Sequence, residues 1–570
     1  MKEREGIEST TEENGKGISR RALLSGAAVV TAGAALSGLI ACTTGTPAPE
    51  PAKEPEGTAP VTPPAGPEAA TGPKWSWETK PDPIPEAEIK EVFETEIAVV
   101  GAGVAGMAVA WWGSKKGAQI HVIEKMDKPS TRSNQIAGVN TYLQKELGMP
   151  DFPINEILQY TKAFQGGFVN MGLLKQFLYN SGRMWDEVAA AAIEDGHTPI
   201  YLDRGNESGV YTVDTPLYKE YRTMANIYPS NELMCERFKA DAEAAGTVFH
   251  FDSPAEQLVT EGGKVVGVIA KGPDGYFRVN ASKGVVVSTG DYSGDPEMLE
   301  RWGGVAKWAD FLMYSPAGAN TGDGLKMMLW AGASMQPCEE HAPMIHCLMG
   351  AFSNPNPWLR INIRGERYEN EDVPNAQVCY GRFLQPGNKA WCVFDDNFGE
   401  DSLKHTNGFG RERFNPDSTP DRIKGQLESG ALVKADTIEE LAAAIEVPAD
   451  ALKKTVDRYN VLCAAGDDKD FGKDPVNLLP IVKGPFYAAP IAAPILCMVG
   501  GINIDDRYRV LAEDGTIIEN LYSIGNASGN YYAVDYPTIM AGQSHGRCLT
   551  AGMVLGEALA EGRSVEPIIA

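Results

Sequence analysis

The chain has 570 residues, 43% of them hydrophobic, which is enough for a core that serves two to four domains. Its formal net charge is −25 and its isoelectric point lies near 4.8. Nucleic acid and anionic membrane surfaces repel so acidic a chain, and we exclude both classes of partner.

The first 42 residues are typical of an export signal and not of a fold. Residues 19–24 (Ser-Arg-Arg-Ala-Leu-Leu) resemble a twin-arginine signal, and a moderately apolar run follows at 27–40. This run is short and rich in Gly and Ala, which makes it a poor stop-transfer helix. Residues 39–42 resemble a lipobox, in which Cys42 would be acylated; the alternative is a cysteine that merely lies near a cleavage site. We expect an exported protein at the cell surface or in a periplasm-equivalent space, with its signal or lipid anchor as the only link to the membrane.

Residues 43–92 form a tether and a lead-in to the first domain. As far as about residue 73 they are rich in Pro, Ala, Glu, Gly and Thr and contain almost no large apolar side chains. Such a segment cannot bury a core, so we expect a flexible spacer.

The first folded segment predicts a dinucleotide site. Residues 97–106 read Ile-Ala-Val-Val-Gly-Ala-Gly-Val-Ala-Gly, an apolar strand and a Gly-x-Gly-x-x-Gly turn, and we expect a helix to about 116 and a second strand at 118–123. The glycines allow a tight turn, close approach of a pyrophosphate and helix–strand packing, while the helix N-terminus offers unpaired N–H groups. Glu124 follows the second strand, where a carboxylate can accept hydrogen bonds from ribose hydroxyls. The alternative is a glycine-rich buried turn without a ligand.

Further strands and helices follow this unit. In chain order they are a hairpin at 265–279 around the Gly-Pro-Asp-Gly turn 272–275, a buried strand at 284–290, a helix at 325–331, a helical pair near 437–462, a strand and turn at 520–526, and a Gly/Ala-rich helix at 542–561. The segment 336–490 is richer in aromatic residues, Asn and Pro. We predict a dinucleotide-binding domain made of 93–335 and 491–570, with 336–490 inserted as a second domain.

Eight cysteines lie beyond Cys42, and none of them belongs to a Cys-x-x-Cys or Cys-x-x-Cys-His segment. The chain therefore carries no signal for attached haem, an iron–sulfur cluster or structural zinc, and we predict no metal site. We expect most of these cysteines to be small buried apolar residues.

Several motifs together resemble the flavoprotein family of fumarate reductases and succinate dehydrogenases, which includes urocanate-type reductases and 3-ketosteroid dehydrogenases. The matching segments are 101–106, 124–125, 285–290, 321–324, 365–371 and 521–526. The resemblance implies FAD and an α/β fold, with a Rossmann-like FAD-binding domain in two sequence segments and an inserted α+β capping domain. It places the active site between the cap and the isoalloxazine ring, and it implies hydride and proton transfer across a C–C bond.

The same resemblance implies which residues contact FAD. They lie in the glycine turn, after the second strand and in later segments that follow strands: Gly101, Gly103, Ala105, Gly106, Glu124, Lys125, Thr131, Ser133, Gly138, Ala255, Thr289, Gly290, Asp323, Gly525, Asn526, Ile539 and Met540.

The chain departs from the family's pattern where fumarate is bound. Asn375 falls near the place of the proton-donating arginine, Tyr536 falls at the place of an arginine that clamps a substrate carboxylate, and Cys497 replaces a family histidine. The bidentate carboxylate clamps are therefore missing. We expect a substrate that is larger and less charged than fumarate.

Tyr536 and His341 are the predicted catalytic residues. Tyr536-Pro537 resembles the Tyr-Pro of 3-ketosteroid dehydrogenases, in which the tyrosine and backbone N–H groups polarise a ring ketone; a phenol is a neutral donor suited to a carbonyl or an enolate. His341 falls where the family's His-Pro-Thr segment enters the cap, and it could bind substrate or transfer a proton. The alternatives are a core tyrosine bonded to backbone and a structural histidine.

These features favour an exported FAD-dependent oxidoreductase of CH–CH groups. It would reduce an activated C=C bond of a small-molecule enone, enoate or unsaturated ring carbonyl in anaerobic respiration. Its electrons would come from an external donor, such as a cytochrome or a membrane quinol-linked protein. Two alternatives stay open, a 3-ketosteroid-type dehydrogenase that introduces a C=C bond and a non-catalytic flavin electron-transfer or binding protein.

Overall fold

The structure is a computed structural model that describes residues 74–201, 209–214, 218–314, 316–349, 356–373, 375–405 and 413–569. The predicted export signal, the lipobox residue Cys42 and residues 43–73 of the tether lie outside the described residues. No helix in the described part of the chain is long and apolar enough to cross a membrane.

The described residues form twenty strands and thirteen helices. The strands are β1 (Ile89–Val100), β2 (Ile120–Ile123), β3 (Gln135–Ala137), β4 (Ile200–Tyr201), β5 (Tyr211–Asp214), β6 (Lys219–Tyr221), β7 (Met224–Asn226), β8 (Val248–His250), β9 (Ala255–Glu261), β10 (Lys264–Gly272), β11 (Gly275–Val287), β12 (Pro343–Ile345), β13 (Leu348–Met349), β14 (Leu359–Asn362), β15 (Ala390–Asp395), β16 (Val433–Ala435), β17 (Phe486–Ala492), β18 (Ile495–Met498), β19 (Arg509–Leu511) and β20 (Ile517–Ser523). The helices are α1 (Val104–Lys115), α2 (Tyr142–Glu146), α3 (Ile154–Phe164), α4 (Met171–Glu194), α5 (Asn231–Ala244), α6 (Pro296–Trp302), α7 (Asp323–Trp330), α8 (Asn375–Phe383), α9 (Phe398–Lys404), α10 (Thr419–Ser429), α11 (Ile438–Ala444), α12 (Ala449–Ala465) and α13 (Gln543–Ala560).

The largest sheet has eight strands. Strands β19, β20, β11, β1, β2 and β8 lie side by side, and β10 pairs with both β11 and β9. The five strands from β20 to β8 run parallel, so their carboxyl ends meet at one edge of the sheet. Helices α1 and α13 are buried along almost their whole length, because both lie in the apolar core of this domain.

The local elements predicted from the sequence are confirmed. The βαβ unit is β1, α1 and β2, the helix at 325–331 is α7, and the C-terminal helix is α13. One prediction was wrong: the second hairpin strand and the strand at 284–290 are a single strand, β11. The twelve-residue β1 provides the reason, because it pairs in parallel with β11 from Ile89 to Val100, with two register shifts along the way.

A second sheet lies almost entirely within the predicted inserted segment, and its strand β17 runs two residues past the predicted limit at 490. It has the order β13-β17-β15-β14, with β16 also on β17, and all its pairs are antiparallel. Separate apolar clusters pack on it, one around Trp358 and Phe394 and another around Leu441 and Leu452. The predicted helical pair is α11 and α12. The domain limits at 335/336 and 490/491 stay predictions.

Candidate functional site

A cavity open to solvent lies at the edge of the large sheet where the parallel strands end, with about 990 Å³ of empty space when the solvent at its mouth is included. Val100 and Ile123, the last residues of β1 and β2, form part of its wall together with Ser288, which follows β11. Ligands of open parallel sheets bind at this edge, beyond the carboxyl ends of the strands. The cavity is therefore the candidate site for the predicted dinucleotide.

The glycine turn between β1 and α1 lies against the cavity. Gly101 has a φ of +101°, a conformation that favours glycine. A Cβ atom on Gly106 would clash with the carbonyl oxygen of Gly101, so the helix can approach the turn only without a side chain there. The N-cap of α1 is Gly103, which offers no side-chain cap. The first N–H groups of α1 are thus left for an anionic ligand such as a pyrophosphate.

Glu124 is buried at the end of β2, with 6% of its surface exposed. Its carboxylate accepts hydrogen bonds from the N–H groups of Ala102, at 2.6 Å, and Met126, at 2.9 Å. Burial raises the pKa of Glu124, while these N–H donors oppose the shift. Beside it, the Lys125 Nζ lies 2.8 Å from an Asp323 carboxylate oxygen. An acidic residue is thus held rigidly at the cavity wall, where ribose hydroxyls can reach its remaining lone pairs.

Three hydroxyl groups on the cavity wall are buried without a hydrogen-bond partner among the described residues. They belong to Ser130, Thr131 and Thr289. A buried hydroxyl without a partner costs free energy, so a polar ligand that bonds to these groups would stabilise the site. The glycine turn, the acidic residue and these hydroxyls together fit a dinucleotide.

Most of the predicted FAD-contacting residues are brought together around this cavity. Those in its wall are Gly101, Gly103, Ala105, Glu124, Lys125, Thr131, Ala255, Thr289, Gly290, Asp323, Gly525 and Asn526.

The other five predicted cofactor residues do not line the cavity. Gly106 packs α1 onto the glycine turn. The backbone oxygen of Ser133 accepts a hydrogen bond from the Asn231 N–H, and the Gly138 N–H donates to the oxygen of Thr223.

The last two of the five, Ile539 and Met540, have no exposed surface. The Ile539 oxygen accepts from the Tyr221 N–H, and Met540 forms an isolated bridge with the same residue. The contacts of Ser133, Gly138, Ile539 and Met540 are thus with protein backbone, and their role toward FAD stays a prediction.

Sequence reasoning missed several residues of the wall. The ones with polar or aromatic side chains are Ser130, Arg132, Ser288, Tyr314, Asn320, Ser544, His545 and Cys548. A local signal existed for two groups of them. Ser130 and Arg132 flank the predicted residue Thr131, and Ser544, His545 and Cys548 lie near the start of α13, which was predicted. Tyr314 had no such signal, since it belongs to a segment without a motif.

Tyr536 lies directly behind the wall. Its phenol oxygen accepts a hydrogen bond from the backbone N–H of Ser544, at 3.3 Å, and Ser544 lines the cavity at the start of α13. Burial raises the pKa of Tyr536, so the phenol stays protonated at neutral pH. Its own O–H proton has no acceptor among the described residues, and Tyr536 itself is not one of the residues that line the cavity.

His341 is buried away from the cavity wall. Its Nδ1 lies 2.7 Å from the Tyr292 hydroxyl, its ring stacks on Trp302, and Gly500 packs against it. Burial lowers its pKa to about 3. The structure therefore surrounds His341 with packing partners, and its catalytic role stays a prediction.

The family motif at 365–371 lies in the cap and holds its loops together. The Arg367 guanidinium lies 2.7 Å from the Glu371 carboxylate and 2.8 Å from that of Asp468. Both acids are buried, and Arg367 helps to lower the pKa of Asp468 to about 2 against the effect of burial. This ion cluster stays within the cap.

Comparison with known proteins also supports a dinucleotide site. A family model described as an FAD binding domain matches residues 96–537. A 3-oxosteroid 1-dehydrogenase of Mycolicibacterium smegmatis is 30% identical over 330 residues, which are 51% of this chain and 56% of that protein. The chain thus spans about half the length of this relative. A vinyl phenol reductase of Lactiplantibacillus plantarum is 23% identical over 503 residues, 82% of this chain and 96% of that protein.

A solved structure supports the fold. The open conformation of a flavocytochrome c3 fumarate reductase has a TM-score of 0.59 and 22% identity, with 86% of this chain and 83% of that chain covered. The predicted α/β flavoprotein fold is therefore confirmed. Because the family model covers most of the chain and its ligand fits the cavity, the chain belongs to the FAD binding domain family and its cofactor is FAD.

Proposed function

We propose that this protein is an FAD-dependent oxidoreductase that reduces an activated carbon–carbon double bond next to a carbonyl or an equivalent electron-withdrawing group. The vinyl phenol reductase, which matches over nearly its whole length, supports reduction of a double bond. The 3-oxosteroid 1-dehydrogenase supports a substrate whose reacting carbons lie next to a ketone.

The observation that carries this proposal is the phenol of Tyr536. Its oxygen accepts a hydrogen bond from the Ser544 N–H at the start of α13, and its proton has no acceptor among the described residues. A helix N-terminus also presents its own N–H groups and positive dipole end. A carbonyl oxygen at this place would meet a phenolic donor and backbone donors, which stabilise the negative charge that develops on an enolate oxygen.

The chemistry that bound FAD supplies is hydride transfer. The residues that would hold it are the glycine turn, Glu124, Lys125 and the hydroxyls of Thr131 and Thr289. Tyr536 holds a proton at its phenol oxygen beside the same wall. The protein thus contributes binding, orientation and a proton donor to the reaction.

The test is turnover by the Tyr536→Phe variant. Purified holoenzyme would be assayed with dithionite-reduced viologen as electron donor and a panel of enones and enoates. Removal of one oxyanion donor lowers kcat by about 100- to 1,000-fold, and we expect a loss in this range. A variant that keeps FAD and the turnover of the wild type would contradict the role of Tyr536.

Tyr532→Phe is a matched control for this experiment. Tyr532 is buried next to Tyr536, with ring centroids 5.0 Å apart, but its hydroxyl has no hydrogen-bond partner among the described residues. The same atom is removed in each variant, and only the Tyr536 hydroxyl contacts a residue of the cavity wall. We expect Tyr532→Phe to keep its turnover.

The second candidate is the reverse reaction, in which a double bond is introduced into a saturated ketone. The Tyr536-Pro537 pair and the 3-oxosteroid 1-dehydrogenase relative favour it. An artificial electron acceptor with saturated cyclic ketones separates the two directions. If no panel member reacts in either direction, the non-catalytic flavin protein becomes the better explanation.

We also propose export and an external electron donor. The support is the twin-arginine motif at 19–24 and the lack of any Cys-x-x-Cys segment that could hold a second redox group in this sequence. Fractionation of cells that express the full chain, beside a variant with Lys at both Arg20 and Arg21, tests export. The variant should stay in the cytoplasm.

A further inference from the structure

Arg132 is held in the cavity wall from two sides. Its Nη1 donates a hydrogen bond to the Leu496 oxygen of β18, at 3.0 Å. Its guanidinium carbon lies 4.0 Å from the centroid of the Tyr314 ring, a cation–π contact. Arg132 and Tyr314 both line the cavity. These contacts orient the guanidinium, and within the described part of the chain only one of its five N–H donors has an acceptor that meets the geometric criteria of a hydrogen bond.

No carboxylate of the described residues forms an ion pair with Arg132. Lys125 also lines the cavity, but it already forms an ion pair with Asp323. Asp291 is the acid that feels the charge of Arg132, but its two oxygens already accept bonds from the Ser293 N–H and the Asn320 amide. Arg132 is therefore an oriented cation that no carboxylate of the described residues neutralises, although the protein has a net charge of −25.

The other titratable groups near Arg132 are neutral. Burial, with a smaller contribution from the Arg132 charge, lowers the pKa of His346 to about 4, and burial also lowers the pKa of His545 to about 4. Burial raises the pKa of Cys497 to about 12, so its thiol is uncharged, although Arg132 opposes that shift. Tyr314 is also a neutral phenol, because burial raises its pKa.

These neighbours lie on both sides of the domain junction. Cys497 is on β18, which pairs with β12, and His346 directly follows β12. Arg132 comes from the loop after β2 and contacts β18, which belongs to the second segment of the predicted FAD-binding domain. The part of the wall that holds Arg132 thus lies beside β18, whose partner β12 belongs to the predicted cap.

We propose that Arg132 binds an anionic oxygen group of the substrate, with a carboxylate as the best match to its planar fork. The proposal rests on the proposed function, because it names the class of unsaturated substrate. It agrees with the expectation of a substrate less charged than fumarate: the arginines expected at Asn375 and Tyr536 are missing, and a single guanidinium reaches the cavity from another loop.

The test compares ligands that differ in one charge. Holoenzyme would be titrated with trans-cinnamate and with trans-cinnamamide, and binding would be followed by the flavin absorbance and by calorimetry. Hydrogen bonds to a charged group contribute enough for a change of about 10- to 100-fold in Kd, so the wild type should bind the carboxylate at least tenfold more tightly. Arg132→Gln should lose this preference, and Arg132→Lys should keep part of it.

Lys128→Gln is the matched control. Lys128 belongs to the same loop, is exposed and pairs with Glu232 on the surface, so this change removes one positive charge without touching the cavity. It should keep the preference for cinnamate. A preference that falls equally in Lys128→Gln and Arg132→Gln would show a general charge effect and overturn the proposal.

Two other results would also overturn it. A wild-type enzyme that binds cinnamate no better than cinnamamide lacks the proposed recognition. An Arg132→Gln protein that loses FAD while cinnamate affinity per bound flavin is unchanged would assign Arg132 to the phosphates of the cofactor. Both results are read from binding, whereas the proposed function fails only if the reduced enzyme turns over no member of the substrate panel.

Discussion

Asp535 is the residue through which the cap helix α8 reaches the loop of Tyr536. Its Oδ1 accepts two hydrogen bonds, one from the Tyr536 N–H, at 2.8 Å, and one from the Tyr380 hydroxyl on α8, at 3.0 Å. Its backbone oxygen accepts from the Gln165 amide. Only 7% of Asp535 is exposed, and its burial raises its pKa. Asp535 thus positions Tyr536 and ties it to the cap.

We predict that Asp535→Ala lowers kcat about tenfold or more while FAD stays bound. The variant leaves the Tyr536 N–H and the Tyr380 hydroxyl unsatisfied, which costs about 1 to 3 kcal/mol for each buried donor. Tyr536 would then shift from the place where it meets the substrate, and small displacements in an active site are costly. The measurements are kcat, KM and the ratio of flavin to protein.

Asp535→Asn separates positioning from general damage. An asparagine oxygen can still accept both hydrogen bonds, so this variant should recover most of the activity that Asp535→Ala loses. Tyr380→Phe removes only the bond to the cap and should have an intermediate effect. Wild-type kcat in Asp535→Ala would show that Tyr536 needs no such support.

The residues that could be predicted were those in continuous motifs. Gly101 and Glu124 belong to one strand–turn–helix–strand unit, and the spacing alone places them at the same edge of the sheet. The contact of Arg132 with the Leu496 oxygen joins positions 364 residues apart, and no local pattern contains it. His341 was chosen for its place in a family motif, but burial against Trp302 and Gly500 is a property of the tertiary structure.

At the scale of elements, the crossing of α1 and α13 supports the cofactor site. Both helices are buried, and they approach closely because α13 has a glycine at position 552. A Cβ atom there would overlap the Ala108 side chain and lie 2.8 Å from the Ala105 oxygen. Ala105 lines the cavity, so the packing of the two helices sets the position of the first turn of α1.

We predict that Gly552→Val destabilises the folded protein by about 1 to 3 kcal/mol and lowers its affinity for FAD. The valine forces α13 away from α1, which displaces the N–H groups at the start of α1. The urea unfolding midpoint and the absorbance of retained flavin measure the two effects. The prediction is wrong if Gly552→Val keeps both at the wild-type level.

Gly425→Ala is the control for a glycine in another helix. Gly425 is exposed within α10, and a Cβ atom there would meet no other atom within 4 Å. Alanine is favoured over glycine in a helix by about 1 kcal/mol, so this variant should gain stability and keep its FAD.

Elements with strong local signals were predictable, and those built by distant pairing were not. The helix α13 has its apolar and small residues within one segment, and its predicted limits of 542 and 561 each lie one residue outside the observed ones. The cap sheet depends on β17, which pairs with β13, β15 and β16 from separate parts of the chain. Each of these strands is short, so its pattern alone does not distinguish it from a loop.

For the whole molecule, buried histidines make stability depend on pH. His341, His346 and His545 are buried, and their pKa values fall to about 3, 4 and 4. His250 has a pKa of about 4, because of burial and of the neighbouring His121. An unfolded histidine titrates near 6.5, so below this pH the unfolded chain binds protons that the folded protein refuses. Buried carboxyls with raised pKa values, such as Glu369 at about 6, act in the opposite sense.

His250→Phe isolates one histidine from the opposing carboxyls. The His250 ring lies among Phe93 and Phe277, with centroids 5.1 and 4.8 Å away, so a phenyl ring can fill its place. The variant also loses the 3.0 Å hydrogen bond between the His121 and His250 rings. We predict that the variant gains stability relative to the wild type as the pH falls from 6.5 toward 4, by at most about 1.4 kcal/mol per pH unit. Above pH 7 His250 is largely neutral in both the folded and the unfolded chain. The difference in stability between the variant and the wild type should then be constant. Urea unfolding of both proteins at constant ionic strength measures it, and a difference that stays the same from pH 7.5 to 5 would show that His250 titrates normally in the folded protein.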